Sequence, residues 1–203
     1  MRQESFVYHG TIFVEYTLIE LMLRHDWTKP HLQRPADVNF NQCQTIFYNE
    51  FSEVSLYNKL YKTYYDLDDI DLKNKTYPII DSLKKIWPDH TLIKGEISYC
   101  PPTVQQGAHI DPRLFHQLSR RVHVPIFTNP KSFLITGNDR QHLNQGEVWS
   151  FNNLIMHYAE NLGDTPRIHL IFDFIDNKLF NQYIDKENQL YELMPGQVGP
   201  LNY

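Results

Sequence analysis

The stretch Gly146–Phe174, GEVWSFNNLIMHYAENLGDTPRIHLIFDF, decides the fold class. It holds three short runs rich in apolar residues: Glu147–Phe151, Leu154–His157 and Arg167–Phe174. Asn152-Asn153 separates the first two, and Asn161-Leu162-Gly163-Asp164 precedes the third. Runs this short, bounded by Asn, Gly and Asp, read as strands joined by turns. In the third, alternation places Arg167, His169 and Asp173 on one face and Ile168, Leu170 and Phe172 on the other.

Upstream, the same texture predicts strands at Leu92–Tyr99, Ala108–Asp111, Arg121–Phe127 and Ser132–Thr136. Many short strands at this spacing suggest a sandwich, barrel or jelly roll. Residues 1–90 have a different, helical or mixed texture. Helical spacing of apolar side chains marks Glu15–Leu23, Phe51–Tyr65 behind a capping Ser52, and Tyr77–Trp87 ending at Pro88. Lys29–Asn41 reads as a loop, and residues 176–203 as a polar, partly helical extension. The expected architecture is mainly β with helical N-terminal support. Residues 91–175 form its core within a single domain of 203 residues.

Composition narrows the function classes. A net charge of −5, with neither sign segregated, argues against a nucleic-acid or membrane-surface footprint. No apolar run is long enough to span a membrane, and the N-terminus lacks the pattern of a signal peptide. Cys43 and Cys100 can make one bridge at most, which fits a cytoplasmic location. They are not spaced with histidine as a zinc site. The chain has no nucleophile elbow, Walker loop or dinucleotide fingerprint.

One constellation carries chemistry. His109-Ile110-Asp111 places an imidazole and a carboxylate on the same face of an extended segment, with Ile110 pointing away. His157 ends a predicted strand and supplies a second imidazole. Two imidazoles and a carboxylate suit one face of a mononuclear non-haem Fe(II) centre, whose other positions stay open. Arg167, ten residues beyond His157, is a cation placed to anchor a dicarboxylate. Arg121 and His123 share a strand face, which either meets water or lines a polar cavity that binds a carboxylate. His169 reads as a hydrogen-bonded core residue, and Asp173 as a strand cap or the partner of a cation. His25, His31, His90, His116 and His142 read as solvent-facing. Arg113 and Arg120 flank the site strand and reach either substrate or solvent.

Taken together, Arg121-Val122-His123-Val124-Pro125, Gly146-Glu147-x-Trp149-x-Phe151-Asn152-Asn153, His157, Glu160-Asn161-x-Gly163-Asp164 and Arg167–Asp173 resemble the aspartyl/asparaginyl β-hydroxylase family. The resemblance covers about residues 92–175. It implies a double-stranded β-helix, a cupin-like jelly roll, and a dioxygenase that uses Fe(II), 2-oxoglutarate and O₂. Such an enzyme hydroxylates a C–H bond of an amino acid or of a peptide or protein side chain, releasing succinate and CO₂. Carried over, His109 and His157 match the iron-binding histidines. Arg167 matches the arginine that holds the distal carboxylate of 2-oxoglutarate, and Arg121-x-His123 a second cosubstrate pair. The animal members that name the family lack a metal-binding carboxylate where this chain has Asp111. The departure strengthens the iron assignment and weakens transfer of the family's substrate. Loop 101–107, the segment Pro112–Arg120 and parts of the N-terminal half are the candidates for substrate choice. The alternative is a jelly-roll module that binds a metal or carboxylate without turnover.

Overall fold

Strand alternation builds a sheet with one apolar and one polar face. In the computed structural model, residues 4–27, 44–48, 70–111 and 114–183 are described. In chain order they form β1 (Phe6–Thr11), α1 (Tyr16–Arg24), β2 (Gln44–Tyr48), α2 (Ile70–Ile86) and β3 (His90–Cys100). Then follow β4 (Val104–Gln105), α3 (Leu114–Leu118), β5 (Ser119–Phe127), β6 (Ser132–Thr136) and β7 (Asp139–Gln141). The last elements are β8 (Glu147–Phe151), β9 (His157–Asn161), β10 (Arg167–Asp176) and α4 (Asn177–Tyr183). Two antiparallel sheets result, one ordered β1-β8-β5-β10-β3-β2 and the other β4-β9-β6-β7. This is the expected jelly roll.

The larger sheet is apolar on its outer face. Ile168, Leu170, Phe172 and Phe174 of β10 and Val122, Val124 and Ile126 of β5 are fully buried there. Leu18, Ile19 and Met22 of α1 and Leu72, Ile79, Ile80 and Leu83 of α2 cover them, at the three-to-four spacing of a helix stripe. A second cluster of Leu134, Leu143, Phe151 and Ala159 lies at the smaller sheet.

Several expected boundaries shift. Helix α2 starts at Ile70, not Tyr77, and carries Pro78 within it. A start beside Pro78 suits proline's usual place in a first turn, but burial of Leu72 and Thr76 extends the stripe upstream. The N-terminal part also supplies β1 and β2 to the larger sheet, where only helical or mixed structure was expected. β1 hides its alternation behind a register shift between Tyr8 and Gly10. The predicted strand Ala108–Asp111 reduces to a single bridge at His109. His157 begins a strand instead of ending one, because Asn152 Oδ1 accepts from the Leu154 N–H and holds the preceding residues in a turn. The helix expected at Phe51–Tyr65, the loop Lys29–Asn41, Cys43 and residues 184–203 lie outside the described residues.

Candidate metal centre

The inner face of the larger sheet is polar because register aligns its polar positions. Asp173 of β10 stands opposite Arg121 of β5 and Lys94 of β3. His169 stands opposite Ser98, and Ile171 opposite His123 and Glu96. Lys94, Glu96, Arg121, His123, Arg167, His169 and Asp173 are all buried. Lys94 and Glu96, two residues apart, pair at 2.6 Å. Burial drives the Lys94 ammonium below its usual range while Glu96 opposes the shift.

Against this face, three side chains converge. His109 and His157 are bridged antiparallel, and the ligand atoms of His109, Asp111 and His157 lie within 4.8 Å of one another. Each histidine is oriented from behind. His109 Nδ1 donates to the Gly107 carbonyl at 2.9 Å, and His157 Nδ1 to the Ile155 carbonyl at 3.0 Å. A carbonyl only accepts, so each ring carries a proton on Nδ1, which makes Nε2 its candidate ligating nitrogen. Ile110 between them is exposed, as i, i+2 geometry requires.

Asp111 is held by the turn before β9. Its N–H donates to the Asn153 carbonyl at 3.0 Å, and Asn153 Nδ2 donates to its Oδ2 at 3.2 Å. The Arg121 guanidinium donates to the same oxygen. Both side-chain bonds end on Oδ2, which also lies 3.7 Å from His157 Nε2. Burial raises the Asp111 pKa, but the nearby charges of Arg121, His116 and His157 outweigh it and hold the carboxyl well below the usual range. Burial lowers His157 to about 4 against the opposing pull of Asp111. At neutral pH His157 is therefore a neutral imidazole and Asp111 a carboxylate, and with His109 they fit an Fe(II) site of the two-histidine, one-carboxylate type.

The other expected residues lie nearby with distinct partners. Arg121 forks onto Asp173, with Nε at 2.9 Å from Oδ1 and Nη2 at 2.8 Å from Oδ2. Asp173 is thus the partner of a cation. His123 is buried, and its ring packs edge-on against Phe151, whose ring packs in turn against His157. Arg167 is 1% exposed and donates through Nη2 to His169 Nδ1 at 2.9 Å. Arg167 is positioned by the turn before it, where Asn161 Nδ2 donates to the carbonyls of Pro101 (2.9 Å) and Thr165 (2.8 Å).

His169 has more to it than a satisfied core position. Its Nδ1 accepts from Arg167, so the ring proton sits on Nε2. That buried nitrogen has no hydrogen-bond partner among the described residues. The signal was present in the chain: His169 shares a strand face with Arg167. His116 corrects an expectation. It is buried, not solvent-facing, because α3 lies against β5 and β10. His25, His90 and His142 are partly buried, His25 packing edge-on against Trp27 and His142 donating to the Ser132 carbonyl. His31 and Arg113 lie outside the described residues, and Arg120 is exposed over the Trp87 ring.

A family model described as aspartyl/asparaginyl beta-hydroxylase matches residues 61–177, more than half of the chain. The chain belongs to that family. No curated protein matches it. Among solved structures, a prolyl-4-hydroxylase from Pseudomonas putida is similar at a TM-score of 0.51 and 10% identity, over 86% of this chain and 94% of the other. The non-haem alpha-ketoglutarate-dependent epimerase of nogalamycin biosynthesis is similar at 0.51 and 12%, over 86% and 79%. At these identities the likeness is one of fold. Within this aspartyl/asparaginyl beta-hydroxylase family member, no helix among the described residues is long and apolar enough to cross a membrane.

Proposed function

We propose that this protein is an Fe(II)- and 2-oxoglutarate-dependent dioxygenase. It hydroxylates a C–H bond of an amino acid or of a peptide or protein side chain. The convergence of His109, Asp111 and His157, with both histidines fixed through Nδ1, carries this reading. Family membership supports the reaction class.

In this reading, His109 Nε2, His157 Nε2 and an Asp111 oxygen hold the metal. Bound iron supplies O₂ activation coupled to oxidative decarboxylation of 2-oxoglutarate to succinate and CO₂. The chain's own residues bind and orient. Arg167 presents a planar, permanently charged fork to the distal carboxylate of the cosubstrate. His169 Nε2–H and His123 stand beside it on the same polar face. A buried N–H without an acceptor costs about 1–3 kcal/mol, which a ligand oxygen at His169 recovers. The apolar outer face of the sheet excludes water from behind. Ile110, Ile155 and Met156 are exposed next to the ligands and form the edge that a substrate meets first.

Anaerobic titration with Fe(II) and then 2-oxoglutarate tests the proposal. A visible metal-to-ligand charge-transfer band is expected, followed by succinate release on admission of O₂. Folded protein that gives the band and never succinate would instead be the non-catalytic binding module. Folded protein that gives neither is not an oxygenase.

A further inference from the structure

The resemblance assigns Arg121 to the cosubstrate, yet its contacts run elsewhere. Nε and Nη2 engage both oxygens of Asp173 in a bidentate fork, and Nη1 reaches Asp111 Oδ2. Asp173 is fully buried, and Arg121 and Asp111 nearly so. Arg121 and Asp173 are direct partners across β5 and β10, so strand pairing alone aligns the fork. Asp111, in contrast, lies outside any strand. Its carboxylate is placed by the Asn153 contacts and by the remaining arm of Arg121. Turning Arg121 onto a dicarboxylate requires opening a buried, doubly bonded pair.

Resting on the metal-centre reading above, we propose that Arg121, locked by Asp173, is a positioning residue for the metal-binding carboxylate and not a cosubstrate ligand. The device fits the chain's departure from the animal pattern. Here the arginine of the Arg121-x-His123 pair helps to aim the carboxylate of the ligand set. Arg121 and Asn153 both hold Oδ2, the oxygen that lies 3.7 Å from His157 Nε2. Asp173 then affects metal binding although no ligand touches it.

Metal affinity without turnover separates the two roles. Co(II), added anaerobically to metal-free protein and followed by its visible d–d bands, is the probe. Arg121→Lys keeps the charge and loses the fork, and Asp173→Asn removes the lock. Both are expected to weaken Co(II) binding by about ten- to a hundredfold, the usual effect of losing a group behind a ligand. The 2-oxoglutarate KM, measured at saturating metal, is expected to stay within about threefold of the parent. Parent-like Co(II) affinity in both variants overturns the proposal, as does a KM rise with unchanged metal affinity. Should either single variant fail to fold, Arg121→Met/Asp173→Leu removes both charges together and preserves apolar packing. That protein is expected to fold and to lose metal affinity, and parent-like affinity in it also overturns the proposal. A parent chain that takes up no Co(II) sinks the metal-centre reading itself, and the positioning role with it.

Discussion

His109 and His157 are tied to each other through the main chain. The His109 N–H donates to the His157 carbonyl at 3.0 Å, and the His157 N–H returns the bond at 2.8 Å. Their rings sit 4.3 Å apart, so the two imidazoles are set by backbone before any metal arrives. The carboxylate depends on side-chain contacts from Asn153 and Arg121 instead. Asp111→Ala is expected to lower Fe(II) affinity at least tenfold and to reduce succinate release to near background. Titration of the metal and the succinate assay check it together. Parent-like values in both would remove Asp111 from the ligand set.

Arg167→Ala should raise the 2-oxoglutarate requirement by about ten- to a hundredfold, the loss of one charged hydrogen-bonding group. His169→Phe should raise it less, because it removes one donor and leaves the guanidinium. The KM for 2-oxoglutarate at saturating Fe(II) is the measurement. An equal or larger effect from His169→Phe would reverse the order of the two residues.

Stability should respond to mild acid through the interior histidines. Burial, then the charge of Arg167, holds His123 and His169 well below the ordinary value of 6.5. Above that value both are neutral in the folded and unfolded chain, and neither affects stability. As pH falls below 6.5 the unfolded chain takes up protons that the folded chain refuses, so stability drops. The limiting slope is about 1.4 kcal/mol per pH unit for each group. Urea unfolding of metal-free protein between pH 6.5 and 5 should show a steep fall, shallower in His169→Gln. Identical slopes in the two proteins would show that His169 takes up its proton while folded.

Gly146 forms a tight joint just before β8. Its φ is +76°, and a Cβ there would lie 2.6 Å from the Ile12 carbonyl oxygen. Its N–H donates to the Pro125 carbonyl, and its own carbonyl accepts from the Ile12 N–H. Gly146→Ala should therefore destabilise the fold by about 1–3 kcal/mol. A shift in the urea midpoint worth less than about 0.5 kcal/mol would show that the backbone relaxes there freely.

Much of the site was legible because metal ligands are few in type and strand geometry is periodic. His109-x-Asp111, His157 and Arg167 needed only side-chain chemistry and alternation to be picked out. Ser132–Thr136 and Glu147–Phe151 match their predicted bounds. What escaped notice depends on contacts distant in sequence. Nothing near Phe6 or Gln44 announces pairing with β8 or β3, since each join is made across a long stretch of chain. The partner of Arg121 lies at Asp173, 52 residues away. Alternation shows that both are polar and sheet-facing, and only the register shows that they meet.

The buried charged side chains among the described residues cancel. Lys94, Arg121 and Arg167 balance Glu96, Asp111 and Asp173. An interior already at electroneutrality favours a divalent cation and a dianion bound together over either one alone. It accepts the two as a neutral package. On the proposed function, metal and 2-oxoglutarate are therefore expected to tighten each other's binding by the same factor, which favours a cosubstrate with two negative charges.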